Sequence, residues 1–290
     1  MITGDPWIRE ALWSEAIDRL DRELSEDLSN IGELCREIPL RIFGQILLDP
    51  AATLDRAGPF LPTMPSDDVQ QLWTGNCGVP LLEQSVDFMR TVVEAAALHE
   101  MDPHDSRVLD FGIGWGRLAR LWLKYGGPGQ LDGCDAWEDS LEKSRECGLR
   151  NRLVRSDPLL DDLPFEVSSF DIIWAFSVFT HLSPKAMHDG FAGLRRMLKQ
   201  RGTLVFTVRP HSYWDLPQPR ELLDAATQDR LVSSDDVTFL QHQSADPYYG
   251  DISVSARFLK ETCRSVGLEI VSMGWGTIDP YQIAVIARPI

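Results

Sequence analysis

Apolar positions in the first hundred residues recur with the period of a helix. Ile8, Leu12, Trp13, Ile17, Leu20 and Leu24 recur at helical spacing, with acids and arginines between them, which predicts an amphipathic helix. Asp5-Pro6 supplies an N-cap and a proline suited to the first helical position. Shorter helices are predicted over 31–36 and 40–48, bounded by Pro39 and Pro50, and a longer one over 81–100. Gly58-Pro59, Pro62 and Pro65 read as a loop.

After residue 106 the pattern changes. Short β-rich runs occur at 107–111, 131–135, 152–155, 171–175, 203–208, 268–273 and 282–287. Amphipathic helical patterns at 117–124, 138–147, 185–199 and 257–266 fall between most of them. Such alternation predicts an α/β fold: a doubly wound, mostly parallel seven-stranded sheet with helices on both faces. The short link between the last two runs predicts an antiparallel C-terminal hairpin. Two regions follow, a helical N-terminal cap over 1–104 and an α/β domain over 105–290. A long insertion at about 211–255 interrupts the rhythm, in the position of a lid or substrate pocket.

Composition narrows the partners. Hydrophobic residues make up 43% and charged residues 25%, as in a packed globular chain. The formal net charge is −16, with 44 acidic against 28 basic residues, which disfavours nucleic acid and anionic membrane surfaces. Five scattered cysteines form no C-x-x-C pair, so neither a disulfide framework nor a metal centre is expected. No signal-like or membrane-spanning run stands out, so a cytoplasmic location is expected.

The sharpest motif is VLDFGIGWGRLAR, residues 108–120, which leads from a strand into a helix. Gly112, Gly114 and Gly116 permit a tight turn and close approach to a ligand. Asp135 closes the second strand, nineteen residues beyond Gly116, where a carboxylate can accept two hydrogen bonds from a ribose diol. A nicotinamide site predicts G-x-G-x-x-G, yet here Arg117 stands where the third glycine should be. Asp110, two residues before the first glycine, would repel a pyrophosphate and attract a cation. S-adenosylmethionine (SAM) carries a sulfonium and an ammonium group and no phosphate, so the charges favour it over NAD.

With these residues the chain resembles the class I SAM-dependent methyltransferases over roughly 107–289. Asp110, Gly112, Gly114 and Gly116 match the family's D-x-G-x-G-x-G motif. The resemblance implies that Asp135 binds the ribose, that adenine packs by Ala136 and Trp137, and that Asp157 meets the adenine amino group. Pro158 departs from the pattern, since it lacks the N–H that this position often offers adenine. Phe176, with Ser177 and Val178, matches the residues bordering the transfer site, and Arg117 is a candidate for the methionine carboxylate.

The implied function is methyl transfer from SAM to a small-molecule acceptor, with a hydroxyl of a sugar or secondary metabolite as the expected target. Such an acceptor benefits from a general base. His181 and His211, in the loops after the fourth and fifth strands, are the candidates, and His242 in the insertion is a further histidine of interest. Two alternatives stay open: a nicotinamide-dependent oxidoreductase, and a non-catalytic SAM-binding or partner-binding protein of the same fold. The acceptor and the oligomeric state are not legible.

Overall fold

The expected alternation takes the form of nine strands among the described residues: β1 Val108–Phe111, β2 Leu131–Asp135, β3 Arg152–Arg155, β4 Phe170–Ala175, β5 Leu198–Val208, β6 Val237–Gln241, β7 Gly250–Val254, β8 Leu268–Gly274 and β9 Ile283–Pro289. The computed structural model describes residues 13–157, 165–223, 236–242, 246–274 and 279–290. The helix start at Asp5-Pro6 lies outside these residues. The strands form a seven-stranded sheet in the order β3-β2-β1-β4-β5-β9-β8, while β6 and β7 pair as a separate ribbon. This is the doubly wound sheet expected from the sequence. Its antiparallel hairpin is present too, with β9 antiparallel to both β5 and β8. The chain divides into two compact units, Met1–Arg155 and Ser156–Ile290.

In the first unit β1, β2 and β3 are parallel, with Asp110 opposite Gly133 and Asp135 opposite Arg155. All four residues of β1 are buried, as a central parallel strand requires. The helix Gly78–Leu98 buries Leu82, Val86, Met89, Val92 and Ala96, a stripe of three- and four-residue steps. Burial of each large side chain in such a stripe contributes about 2 kcal/mol.

Two buried cations join the N-terminal helices to the segment that follows the glycine loop. Arg120 donates to the carbonyls of Leu47, Pro62 (2.8 Å) and Thr63 (3.1 Å), and to Met64 Sδ. One helical turn later, Lys124 Nζ donates to the carbonyls of Cys35 (2.9 Å) and Arg36 (3.2 Å). Leu47 and Cys35 are the C-cap residues of the helices Leu40–Ile46 and Ile31–Leu34. Each cation therefore meets the negative end of a helix and satisfies carbonyls that lack an intrahelical donor. Burial lowers both cations' pKa values, that of Arg120 to about 10, so Arg120 stays charged at neutral pH.

In the second unit β4 and β5 run parallel. The helix Pro184–Met197 starts at Ser183, whose hydroxyl accepts from Ala186 N, with a proline in its first turn. It buries Met187, Phe191 and Leu194. Phe191 packs against Phe179 and Phe206, with ring centroids 4.2 and 4.8 Å away. The insertion contains a 3-10 turn, His211–Asp215, a short helix, Pro217–Glu221, and the β6–β7 ribbon. No helix among the described residues is long and apolar enough to cross a membrane.

Candidate functional site

The glycine loop is built largely by backbone. Gly112, Gly114 and Gly116 have φ of 77°, 57° and 85°, the left-handed region that favours glycine. Two of them need glycine for different reasons. A Cβ on Gly116 would stand 1.8 Å from Leu149 Cδ1, whereas one on Gly114 would meet nothing within 4 Å. Gly116 is thus fixed by packing, and Gly114 by its φ on an open face. Gly112 N and Ile113 N both donate to Cys134 O, at 2.8 and 3.0 Å, which anchors the loop to the end of β2.

Asp135 completes this arrangement. Its carboxylate accepts Gly114 N at 2.9 Å through Oδ2 and Trp137 N at 3.0 Å through Oδ1. Burial nonetheless raises its pKa above the ordinary carboxyl value, against the opposing effect of those N–H groups. An anion in that state gains from further donors, such as a vicinal diol. Ser144 Oγ donates to Gly114 O at 2.8 Å and ties the loop to the helix Glu138–Glu146. Trp137 is 54% exposed beside Asp135, an open aromatic face of the kind a nucleobase stacks on. Asp110 is buried on β1, and Ala136 follows Asp135. Arg117 Nη1 donates to Gln84 Oε1 at 2.7 Å.

These residues fit an adenosyl cofactor. The turn leaves space where Gly114 lacks a side chain, and a desolvated carboxylate and an exposed indole stand at the end of the next strand. All of these lie in the first unit.

The second unit contains the other expected site residues. Asp157 is exposed, and Phe176 is half-buried directly after β4. Next to Phe176, Ser177 has φ of 61°, which for a side-chain-bearing residue costs roughly 1–3 kcal/mol. Three groups hold it there: Ser177 N donates to Thr207 Oγ1 at 2.8 Å, Gln282 Nε2 donates to Ser177 Oγ at 3.0 Å, and Thr180 Oγ1 lies 3.3 Å from that hydroxyl.

His181 belongs to a four-residue polar cluster. Its Nδ1 faces Gly250 O at 3.1 Å and Asp251 Oδ1 at 3.3 Å, and its Nε2 faces Arg209 Nη2 at 3.3 Å. Carbonyl and carboxylate oxygens only accept here, and a guanidinium only donates. His181 is therefore the neutral tautomer with its proton on Nδ1 and its Nε2 lone pair occupied. Burial lowers its pKa, opposed by Asp251. Arg209 also pairs with Asp251, donates to Thr180 O at 3.1 Å and lies 4.2 Å from the Tyr213 ring centroid.

The fourth member is His242, which directly follows β6. His242 N extends the ribbon ladder by donating to Tyr249 O at 3.2 Å, and its Nε2 lies 3.0 Å from Asp251 Oδ2. That nitrogen must carry the proton, so in the neutral ring the lone pair is on Nδ1. The side chain is 40% exposed, against 21% for His181. Burial would raise the Asp251 carboxyl, but His181, Arg209 and His242 together hold it well below the usual range. His211 lies apart from this cluster. Its Nδ1 is 2.7 Å from Ser253 Oγ, which also accepts from Trp214 Nε1, and its Nε2 is buried without a partner among the described residues.

Of the cluster, His181 and His242 are already histidines of interest in the sequence; that Arg209 and Asp251 join them is written in no motif. Arg209, Asp251 and His242 come from three loops and strand ends, and only the pairing of β6 with β7 brings His242 to Asp251. The sequence signal was slight: an arginine directly after a strand, and an aspartate in a Tyr-Tyr-Gly-Asp run.

Known proteins bear on both units. A family model described as "Methyltransferase domain" matches residues 108–202. The chain is similar to an erythromycin 3''-O-methyltransferase of Saccharopolyspora erythraea, 28% identical over 46% of this chain and 42% of that protein. It is also similar to a sarcosine/dimethylglycine N-methyltransferase of Aphanothece halophytica, 31% identical over 44% of this chain and 46% of that one. The chain thus spans less than half the length of these curated relatives. Among solved structures, a 1,6-didemethyltoxoflavin-N1-methyltransferase of Burkholderia thailandensis shares the fold, with a TM-score of 0.52 at 17% identity, over 77% of this chain and 82% of that one. The matched residues begin with β1, run through the glycine loop and Asp135 and extend into β5, so it is this stretch of the chain that is similar to a methyltransferase domain.

Proposed function

We propose that this chain transfers the methyl group of SAM to a hydroxyl of a small-molecule acceptor. The observation that carries the cofactor assignment is the bond from Gly114 N to Asp135, which sets a desolvated carboxylate beside an open left-handed turn. In this reading Asp135 accepts from the ribose hydroxyls, Ala136 and Trp137 flank the adenine, and Asp110 offers negative charge to the cationic amino-acid end. Gly112, Gly114 and Gly116 allow close approach, and Arg117 pairs with the methionine carboxylate. Asp157 receives the adenine amino group, and Phe176 borders the transferred methyl. Bound SAM supplies the electrophilic methyl carbon.

Both named relatives act on small molecules, one at oxygen and one at nitrogen. The Asp251 cluster favours oxygen, because a hydroxyl must lose its proton as the new bond forms, whereas a neutral amine already has its lone pair. The expected base was His181 or His211. The geometry supports His242 in that role: its Nδ1 takes the acceptor's proton while Nε2–H donates to ionised Asp251. His181 and Arg209 hold the carboxylate in place as positioning residues, and His211 orients Ser253. A net charge of −16 fits a small uncharged or cationic acceptor better than a nucleic acid.

The test is incubation with methyl-labelled SAM and matched panels of sugar, phenol and amine acceptors. Label in a hydroxyl compound, reduced roughly 100-fold by His242→Gln, is the expected result. Label confined to amines, with His242→Gln unimpaired, would overturn the hydroxyl assignment.

A further inference from the structure

A second feature of the first unit has no part in the proposed transfer. Beside Trp115 of the glycine loop lies a partly open cavity of about 20 Å³, lined by Leu47, Leu81 and Leu121 together with Ser85, Trp115 and Arg120. Arg117 also reaches its wall. The volume suits one water-sized occupant.

The wall is unusual in its hydrogen-bonding character. Trp115 is 2% and Arg120 3% exposed. Trp115 Nε1 and Arg120 Nε are both buried with no acceptor among the described residues. Each is a donor and nothing else. The Arg120 guanidinium carbon stands 5.8 Å from the Trp115 ring centroid, so one small acceptor can bridge the two side chains.

The terminal nitrogens of Arg120 already have their acceptors, the carbonyls of Leu47, Pro62 and Thr63 and the sulfur of Met64. Ser85 commits its hydroxyl proton to Leu81 O at 2.7 Å. A water accepting from Trp115 and Arg120 could place a proton on a lone pair of Ser85 Oγ, but it carries no charge to set against the guanidinium. A monovalent anion accepts both donors and has no proton to place. It also offsets a charge that no carboxylate in the described residues meets, since the partners of Arg120 are neutral.

We infer that this cavity is a binding site for a small monovalent anion of halide size, held between Trp115 Nε1–H and Arg120 Nε–H. Arg117, which the cofactor reading assigns to the methionine carboxylate, stands on the same wall, so the site adjoins that reading without using its donors. Its occupant braces the turn, because Trp115 lies between Gly114 and Gly116. The inference does not depend on the methyl acceptor or on turnover.

Two measurements on the full chain decide it. Crystals soaked in bromide should give an anomalous peak within hydrogen-bonding reach of both nitrogens. Thermal unfolding in sodium chloride or bromide, compared with sodium gluconate at equal ionic strength, should show a higher Tm in halide. The rise should be about 3 °C at a tenfold excess over the dissociation constant. Trp115→Phe keeps an aromatic core residue but lacks the N–H, so it should lose this halide-specific rise whatever its own baseline stability. A non-anomalous peak in the cavity, equal Tm values in the two salts, or a halide effect that survives Trp115→Phe would each overturn the inference. A bromide peak without any Tm difference would mark an adventitious ion and would overturn it as well.

Discussion

Asp135 and Asp251 both stand at strand ends, one in each unit, and their surroundings drive them in opposite directions. Asp135 receives backbone N–H groups from its own neighbourhood, and burial leaves its pKa raised. Asp251 receives a guanidinium and two imidazoles, and its pKa is held well below the ordinary value. The first carboxylate is only partly compensated and has capacity for a ligand's donors. The second is saturated by protein side chains, and its use is to orient them. A similar residue at a similar place in a strand thus becomes a binding group or a scaffold according to what donates to it.

The largest effect that would break this contrast is at the loop. Gly116→Ala should destabilise the first unit by about 4 kcal/mol, since it combines a left-handed φ with a clash against Leu149. Denaturant unfolding measures it directly, and a loss below about 1 kcal/mol would mean that the loop shifts freely and does not present a fixed turn to Asp135.

The same contrast explains what could be read from the sequence. The glycine loop and Asp135 are contiguous or nearly so, and their geometry follows from residue type, so a short motif announces them. The strands were legible because buried parallel strands are continuous apolar runs, as in residues 170–175. The helix Asp67–Thr74 was not, for a definite reason. It leaves Leu72 80% exposed and buries Gln70, whose amide donates to Pro65 O and whose oxygen accepts from Gly78 N. A helix held by a polar anchor has no apolar period to read. The Asp251 cluster was hidden in another way: Arg209, His242 and Asp251 meet through the pairing of β6 with β7, which no local pattern specifies.

A smaller effect should follow from Asp251→Asn, which leaves Arg209 half-buried without its counter-charge. A loss of about 3 kcal/mol is expected at neutral pH. Because the folded pKa is depressed, this stability is fully present above the unfolded value of about 3.9 and is lost as pH falls through the folded value. The gap between wild type and variant should therefore be full above about pH 4 and narrow only as pH falls below it, as acid-dependent unfolding curves would show. A gap that stays constant down to acid would mean that Asp251 is not held ionised.

Smaller again is the difference between the two imidazoles. His242→Gln should lower kcat by about 100-fold with KM little changed, since its ring is the one held by Asp251 with the lone pair on Nδ1. His181→Gln should lower activity only about tenfold, through misplacement of Asp251. The reverse order would make His181 the base and the exposed ring incidental.

Calorimetric titration with SAM, S-adenosylhomocysteine and NAD, for the wild type and Asp135→Ala, tests the central claim most directly. The account predicts that both adenosyl ligands bind, that NAD does not, and that the variant loses roughly 100-fold in affinity. Binding of NAD, or adenosyl binding unaltered by Asp135→Ala, would contradict it.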